Sequence, residues 1–135
     1  MAQAHPHPRP GILDIKPYIG GEGRVEGVTQ LVRLASNENA LGCSPKAREA
    51  YLKASTDLHR YPDGSALELR TALGKAHDMN PDRVVCGSGS EELISLLVRS
   101  YAGVGDEVLY SQYGFLMYPI CAKAVGATPV AAPEK

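Results

Sequence analysis

The chain has 135 residues, a formal net charge of −1 and 44% hydrophobic residues. That length can close one domain around a core, and the near-neutral balance offers no basic field to nucleic acid or anionic lipid, so any bound anion must be caught by a local site. The three cysteines, Cys43, Cys86 and Cys121, match no zinc spacing and suit a reducing compartment, and no stretch approaches membrane length, so a cytoplasmic protein without metal, nucleic-acid or membrane partners is expected.

Residues 1–30 read as an extended arm. Met1 to Pro10 is punctuated by proline and by His5 and His7, and it lacks the apolar centre of a signal peptide. Pro6, Pro8, Pro10 and Pro17, then Gly20, Gly21, Gly23 and Gly27, forbid a regular helix. Such an arm cannot bury itself and needs another surface, such as a partner subunit. Leu31 to Ala35 is a strand candidate, ended by the polar turn Ser36-Asn37-Glu38-Asn39. Ser44 can cap a helix with Pro45 at its first position, and Ala47, Ala50, Tyr51 and Ala54 follow at helical spacing. The loop Leu58-His59-Arg60-Tyr61-Pro62-Asp63-Gly64 interrupts. Ser65 to Glu68 then spells a capping box, with Leu69, Ala72, Leu73 and Ala76 forming an apolar stripe behind it. Asn80-Pro81-Asp82 is a turn.

Val84-Val85 opens a strand, and Ser90 to Ala102 a helix. Gly103 to Asp106 is a turn and Glu107 to Ser111 a strand. Phe115 or Leu116 to Val125 reads as a helix ended by Gly126, and Thr128 to Ala132 as a third strand. Strands alternating with helices predict βαβ units and a parallel sheet, an α/β chain of three-layer αβα type. Residues 31–135 hold few strands for such a sheet and are expected to be the first part of a larger domain.

Between the predicted Val84-Val85 strand and its helix lies Cys86-Gly87-Ser88-Gly89-Ser90-Glu91-Glu92. Strand, glycine turn and helix start aim backbone N–H groups and a positive helix end at one spot, which suits phosphate. No lysine follows the glycines, so this is not a P-loop. Glu92 fills the place of the third glycine of a dinucleotide fingerprint, and the next strand ends at Tyr110-Ser111 without a ribose-binding acid. A mononucleotide-sized phosphate seat remains, with the Ser90 hydroxyl and the N–H groups of Ser90 and Glu91 as donors. A capped turn without ligand fits the local sequence equally, because Ser88 to Glu91 also spells a capping box. Glu91 and Glu92 are no carboxylate pair, since adjacent helical residues point about 100° apart.

Five motifs occur in order: Arg9-Pro10-Gly11-Ile12 with Pro17-Tyr18, then Ser36-Asn37-Glu38-Asn39, His59-Arg60-Tyr61-Pro62-Asp63-Gly64, Gly87-Ser88-Gly89-Ser90-Glu91-Glu92, and Phe115-x-x-Tyr118. With these the chain, from about Arg9 to its end, resembles the N-terminal portion of the histidinol-phosphate aminotransferases, a family of fold-type I pyridoxal-phosphate enzymes. The resemblance implies a pyridoxal 5'-phosphate cofactor and a homodimer. It implies exchange of an amino group between glutamate or 2-oxoglutarate and a small phosphorylated amino-alcohol skeleton in histidine biosynthesis.

The resemblance also implies roles for single residues. Ser90 and Glu91 would cup the cofactor phosphate, and Phe115 would stack on its ring. Tyr61 would reach across the dimer to the other subunit's cofactor phosphate. Tyr18 would contact substrate across the same interface, and Asn37 and Asn39 would line the active-site side. The chain departs from the family at Ala40, where a proline is frequent, and at Gln112-Tyr113-Gly114-Phe115, where many members have Pro-Thr or Pro-Gln. The spacing to Tyr118 favours Phe115 over Tyr113 as the stacking ring. No catalytic residue is assigned: Lys16, Lys46, Lys53, Lys75 and Lys123 read as solvated charges. The cofactor-anchoring lysine, the aspartate at the ring nitrogen and the arginines for substrate phosphate are expected beyond Lys135. The alternatives are an aromatic or threonine-phosphate aminotransferase, a truncated inactive fragment, or a standalone phosphate-binding module.

Overall fold

The computed structural model describes residues 7–18, 20, 26–27, 29, 37–39 and 41–135. The strand predicted at Leu31 to Ala35 lies outside them, as do Ser36 and Ala40. The chain forms two compact units, one holding the described residues of Ile19–Leu69 and the other those of Met1–Tyr18 and Arg70–Lys135.

In the Ile19–Leu69 unit, helix α1 spans Pro45–Ala54 and runs into a 3-10 turn at Ser55–Asp57. Pro45 occupies the first helical position, where its missing N–H has no acceptor to lose. Ser44 takes the N-cap position as expected, and its carbonyl accepts from the Arg48 N–H at 3.0 Å, but its hydroxyl makes no capping bond. The α1 residues read at helical spacing, Ala47, Ala50, Tyr51 and Ala54, are all left exposed by the described residues.

Helix α2 spans Leu67–His77. The capping box predicted from Ser65 is replaced by an Asp63 cap. The Asp63 carboxylate accepts from the Ser65 N–H at 3.0 Å, the Leu67 N–H at 3.1 Å and the Ser65 hydroxyl at 2.6 Å. Ala66, at φ +48°, turns the chain so that Asp63 faces the first turn, and a carboxylate suits that positive end.

In the other unit, Arg70 of α2 donates to the Pro81 carbonyl at 3.0 Å and to Asp82 at 3.1 Å. This ties the helix to the predicted turn, a 3-10 turn at Pro81–Arg83 opened by the Asn80 side chain accepting from Asp82 N–H. Val84 is extended (φ −104°, ψ 126°) but forms no strand, contrary to the sequence reading. A strand needs a neighbour for its ladder, and among the described residues none pairs with Val84-Val85.

Helix α3 follows at Ser90–Tyr101, then strand β1 at Glu107–Ser111, helix α4 at Met117–Val125 and strand β2 at Thr128–Ala132. Among the described residues Thr128–Ala132 is thus the second strand, because Val84-Val85 does not pair. The chain reverses between α3 and β1 at Gly103–Asp106, where the Gly103 N–H reaches the Asp106 carboxylate at 2.9 Å. β1 and β2 pair in parallel, from Glu107 opposite Thr128 to Ser111 opposite Ala132. α4 is the crossover between them and packs on both strands and on α3. Gly126 ends α4 at φ 85°, and a Cβ there would meet Val104 Cγ2 at 2.9 Å, so only glycine fits.

The core where these elements meet is made of Val98, Cys121, Ala122 and Ala127. Small residues on α4 let the helix lie close to its neighbours. Leu97 of α3 and Leu109 of β1 remain exposed, so these elements carry apolar faces that the described residues leave uncovered. Among the described residues no helix is long and apolar enough to cross a membrane.

Part of the arm finds a surface on its own chain. The Arg9 guanidinium donates to the Ala124 carbonyl in the last turn of α4, and the Tyr18 ring meets Phe115 just before its first turn. Residues 9–18 therefore pass alongside α4 from its C-terminal to its N-terminal end.

Candidate functional site

Helices α3 and α4 run opposite to the strands, so their N-termini lie at the end of the sheet where β1 and β2 finish. In open parallel sheets ligands bind outside these carboxyl ends. The chain brings two groups of predicted residues to that edge: the Gly87–Glu92 turn that opens α3, and Phe115, which precedes α4.

The turn is built on glycine. Gly89 is the N-cap of α3 at φ 91°, a conformation side chains disfavour. At Gly87 a Cβ would lie 2.7 Å from Glu92 Oε2 and 3.1 Å from Leu93 Cδ2. Helix geometry leaves the first N–H groups of α3 without intrahelical acceptors. Ser90 and Glu91, both exposed, carry two of them at the predicted seat. Neither Ser88 nor Ser90 caps the helix through its side chain. Glu92 instead bends back, its Oε2 accepting from the Ser88 N–H at 2.6 Å. Sequence reading missed this role for Glu92; the signal was an acid four residues after Ser88. The turn thus serves as a capped helix start, and Ser90 and Glu91 stay exposed on it.

Glu91 also acts on the core. Burial pushes the Cys121 thiol above its ordinary pKa; a Ser95 hydrogen bond opposes that shift and the Glu91 charge adds to it. A shallow groove along α3, lined by Ser88, Glu91, Glu92, Ser95, Leu96 and Arg99, leads away from the turn.

Phe115 is 38% exposed. Tyr18 stands edge-on to it at 5.9 Å between centroids, and Tyr118 does so at 6.3 Å. The connection that carries Phe115 is tight. Gln112 N–H donates to the Ala132 carbonyl at 2.9 Å and Gly114 N–H to the Ser111 carbonyl at 2.8 Å. Glu134, which sequence reading left unassigned, accepts from the Ser111 hydroxyl and from Tyr113 N–H.

The remaining predicted residues belong to the Ile19–Leu69 unit. Tyr61 is fully exposed on its loop, where Arg60 pairs with Asp57 at 3.6 Å. Asn39 closes a turn, its Nδ2 donating to the Gly42 carbonyl at 2.9 Å and its Oδ1 accepting from Leu41 N–H at 3.0 Å. One further donor and one lone pair of that amide stay available. Asn37 adopts φ 55°.

The described residues define an α/β chain with a parallel β1–β2 pair whose crossover helix is α4. The family model for aminotransferase class I and II matches residues 29–135, and the chain belongs to that family. It is 60% identical over 129 residues to the histidinol-phosphate aminotransferase of Paramagnetospirillum magneticum, covering 96% of this chain and 36% of that one. Against the same enzyme of Rhodospirillum rubrum the identity is 56%, covering 96% of this chain and 35% of the relative. The chain therefore spans about a third of the length of these curated relatives. The solved histidinol-phosphate aminotransferase of Sinorhizobium meliloti, in complex with pyridoxal-5'-phosphate, superposes with a TM-score of 0.70 at 25% identity, over 74% of this chain and 27% of that one.

Proposed function

We propose that this chain supplies part of the cofactor seat of a pyridoxal 5'-phosphate-dependent aminotransferase that moves an amino group between histidinol phosphate and 2-oxoglutarate. The observation that carries the reading is the shared edge of the Gly87–Glu92 turn and Phe115. The residues fit the cofactor. The N–H groups of the exposed Ser90 and Glu91 and the Ser90 hydroxyl, at a helix N-terminus, match a phosphate dianion, and Gly87 has no room for a side chain that would block its approach. When bound, pyridoxal 5'-phosphate supplies the electron sink for amino-group transfer.

The protein's part is holding and orienting. Ser90 and Glu91 bind the phosphate through the Ser90 hydroxyl and both N–H groups. Phe115 offers an apolar surface to the ring and excludes water on that side. Tyr61 extends from its loop toward the phosphate bound by a partner subunit, which makes the active protein a homodimer. Tyr18 and Asn39 face the substrate. Residues 1–30 act as the arm and 31–135 as the first part of the large domain, in a cytoplasmic protein of histidine biosynthesis. The relatives' shared name, at 48–60% identity for the first four, supports this substrate over aromatic or phosphothreonine-like ones.

The test is amino transfer to 2-oxoglutarate by the full-length protein, with histidinol phosphate, phenylalanine and phosphothreonine as donors. A kcat/KM highest for histidinol phosphate is expected. A preference for either other donor overturns the substrate, and no transfer from any donor overturns the activity.

A further inference from the structure

β1 and β2 end level, with Ser111 opposite Ala132. Past Ala132, Pro133 brings Glu134 back over the end of β1, where its Oε1 accepts from the Ser111 hydroxyl and, at 3.4 Å, from the Tyr113 N–H. The two-strand ladder is complete without this carboxylate, so its bonds serve the connection alone. That connection is already compact: a Cβ on Gly114 would lie 2.9 Å from the Ser111 carbonyl oxygen. Its far end is Phe115, whose carbonyl accepts from the Tyr118 N–H at 3.1 Å as α4 begins. A charged acceptor on two donors of one turn makes stronger bonds than a neutral one.

We propose that Glu134 is a positioning residue: its carboxylate holds the Ser111–Gly114 turn and so sets Phe115 at the carboxyl edge of β1. The inference rests on the reading of Phe115 as the residue against the cofactor ring. Glu134 touches neither cofactor nor substrate in this role. It acts through the turn.

The test uses the full-length protein with Glu134→Ala, Glu134→Gln and Ser111→Ala. Amide hydrogen exchange over residues 112–115 reads the turn, and titration of the apo protein with pyridoxal 5'-phosphate reads the ring seat. Loss of these bonds in Glu134→Ala should speed exchange and raise the cofactor Kd, each by about three- to tenfold. Glu134→Gln, whose neutral amide oxygen still accepts but more weakly, should recover part of both effects, and Ser111→Ala should reproduce part of them. Unchanged exchange in Glu134→Ala overturns the hold on the turn. Faster exchange with an unchanged Kd overturns its effect on Phe115. If the wild type itself shows no saturable cofactor binding, the reading of the site fails; the exchange result still decides whether Glu134 holds the turn.

Discussion

The Tyr18 ring stands edge-on to Phe115, with centroids 5.9 Å apart and planes at 83°. Tyr118 meets Phe115 in nearly the same way, at 6.3 Å and 85°. The arm and the first turn of α4 thus confine one ring from two directions. An aromatic pair of this geometry contributes about 0.5–1.5 kcal/mol beyond its area. Tyr18→Leu should therefore weaken cofactor binding, and its effect should largely vanish in a Phe115→Leu background. A double-mutant cycle on the pyridoxal 5'-phosphate Kd measures this; strictly additive effects would show that the rings act independently.

Gly87→Ala should loosen the start of α3. The new Cβ would meet Glu92 Oε2 at 2.7 Å, and the carboxylate would have to release the Ser88 N–H it now holds at 2.6 Å. A stability loss of about 1–2 kcal/mol is expected from crowding plus the lost bond. Urea denaturation checks it. In a Glu92→Ala background the same substitution should cost clearly less, because the displaced oxygen is gone. An equal cost in both backgrounds would mean that Leu93, not Glu92, sets the limit.

Arg9→Gln should free the arm. The guanidinium sits at the C-terminal end of α4, where a cation also meets the negative helix end. Chymotrypsin reports the release at Leu13 and Tyr18; trypsin does not, since Arg9 and Lys16 both precede proline. Cleavage there should be several-fold faster in the variant, and added salt should narrow the difference by screening the charge. Equal cleavage rates would show that the Arg9 bond does not anchor the arm.

Cys121 should make stability fall at high pH. Its thiol pKa is raised in the fold, chiefly by burial, so the folded state keeps the proton that the unfolded state gives up. The stabilising contribution is full below the unfolded value of about 8.5 and is lost as pH rises from there through the folded value. Ser95 and Glu91, facing it from α3, tune the shift in opposite directions. Between pH 7 and pH 10 the wild type should lose more stability than Cys121→Ala, measured by urea midpoints. Parallel curves would contradict this.

Local signals carried most of what was legible. β1 and β2 lie at the residues expected of them, and Gly126 ends α4, because strand runs and glycine stops are written within a few residues. α4 begins at Met117, a residue or two late, since Phe115 and Leu116 belong to its lead-in turn. Val84-Val85 failed as a strand because pairing depends on a distant neighbour. Ser65 lost the α2 cap to Asp63 because both oxygens can reach the same first turn, and the φ of Ala66 decides between them. The contact of Glu134 with Ser111 spans 23 positions and leaves no periodic trace in the sequence. The path of residues 9–18 along α4 was hidden for the same reason: proline and glycine spacing forbids a helix but does not name the surface an extended segment will meet.

The most direct measurement is a titration of the full-length apo protein with pyridoxal 5'-phosphate, followed by absorbance, for the wild type and for Ser90→Ala. The wild type should bind saturably. Ser90→Ala should bind about ten- to a hundredfold more weakly, as expected for loss of a hydrogen bond to a charged phosphate. A wild type that does not saturate, or a Ser90→Ala protein that titrates like it, would contradict the assignment of the α3 N-terminus as the phosphate seat.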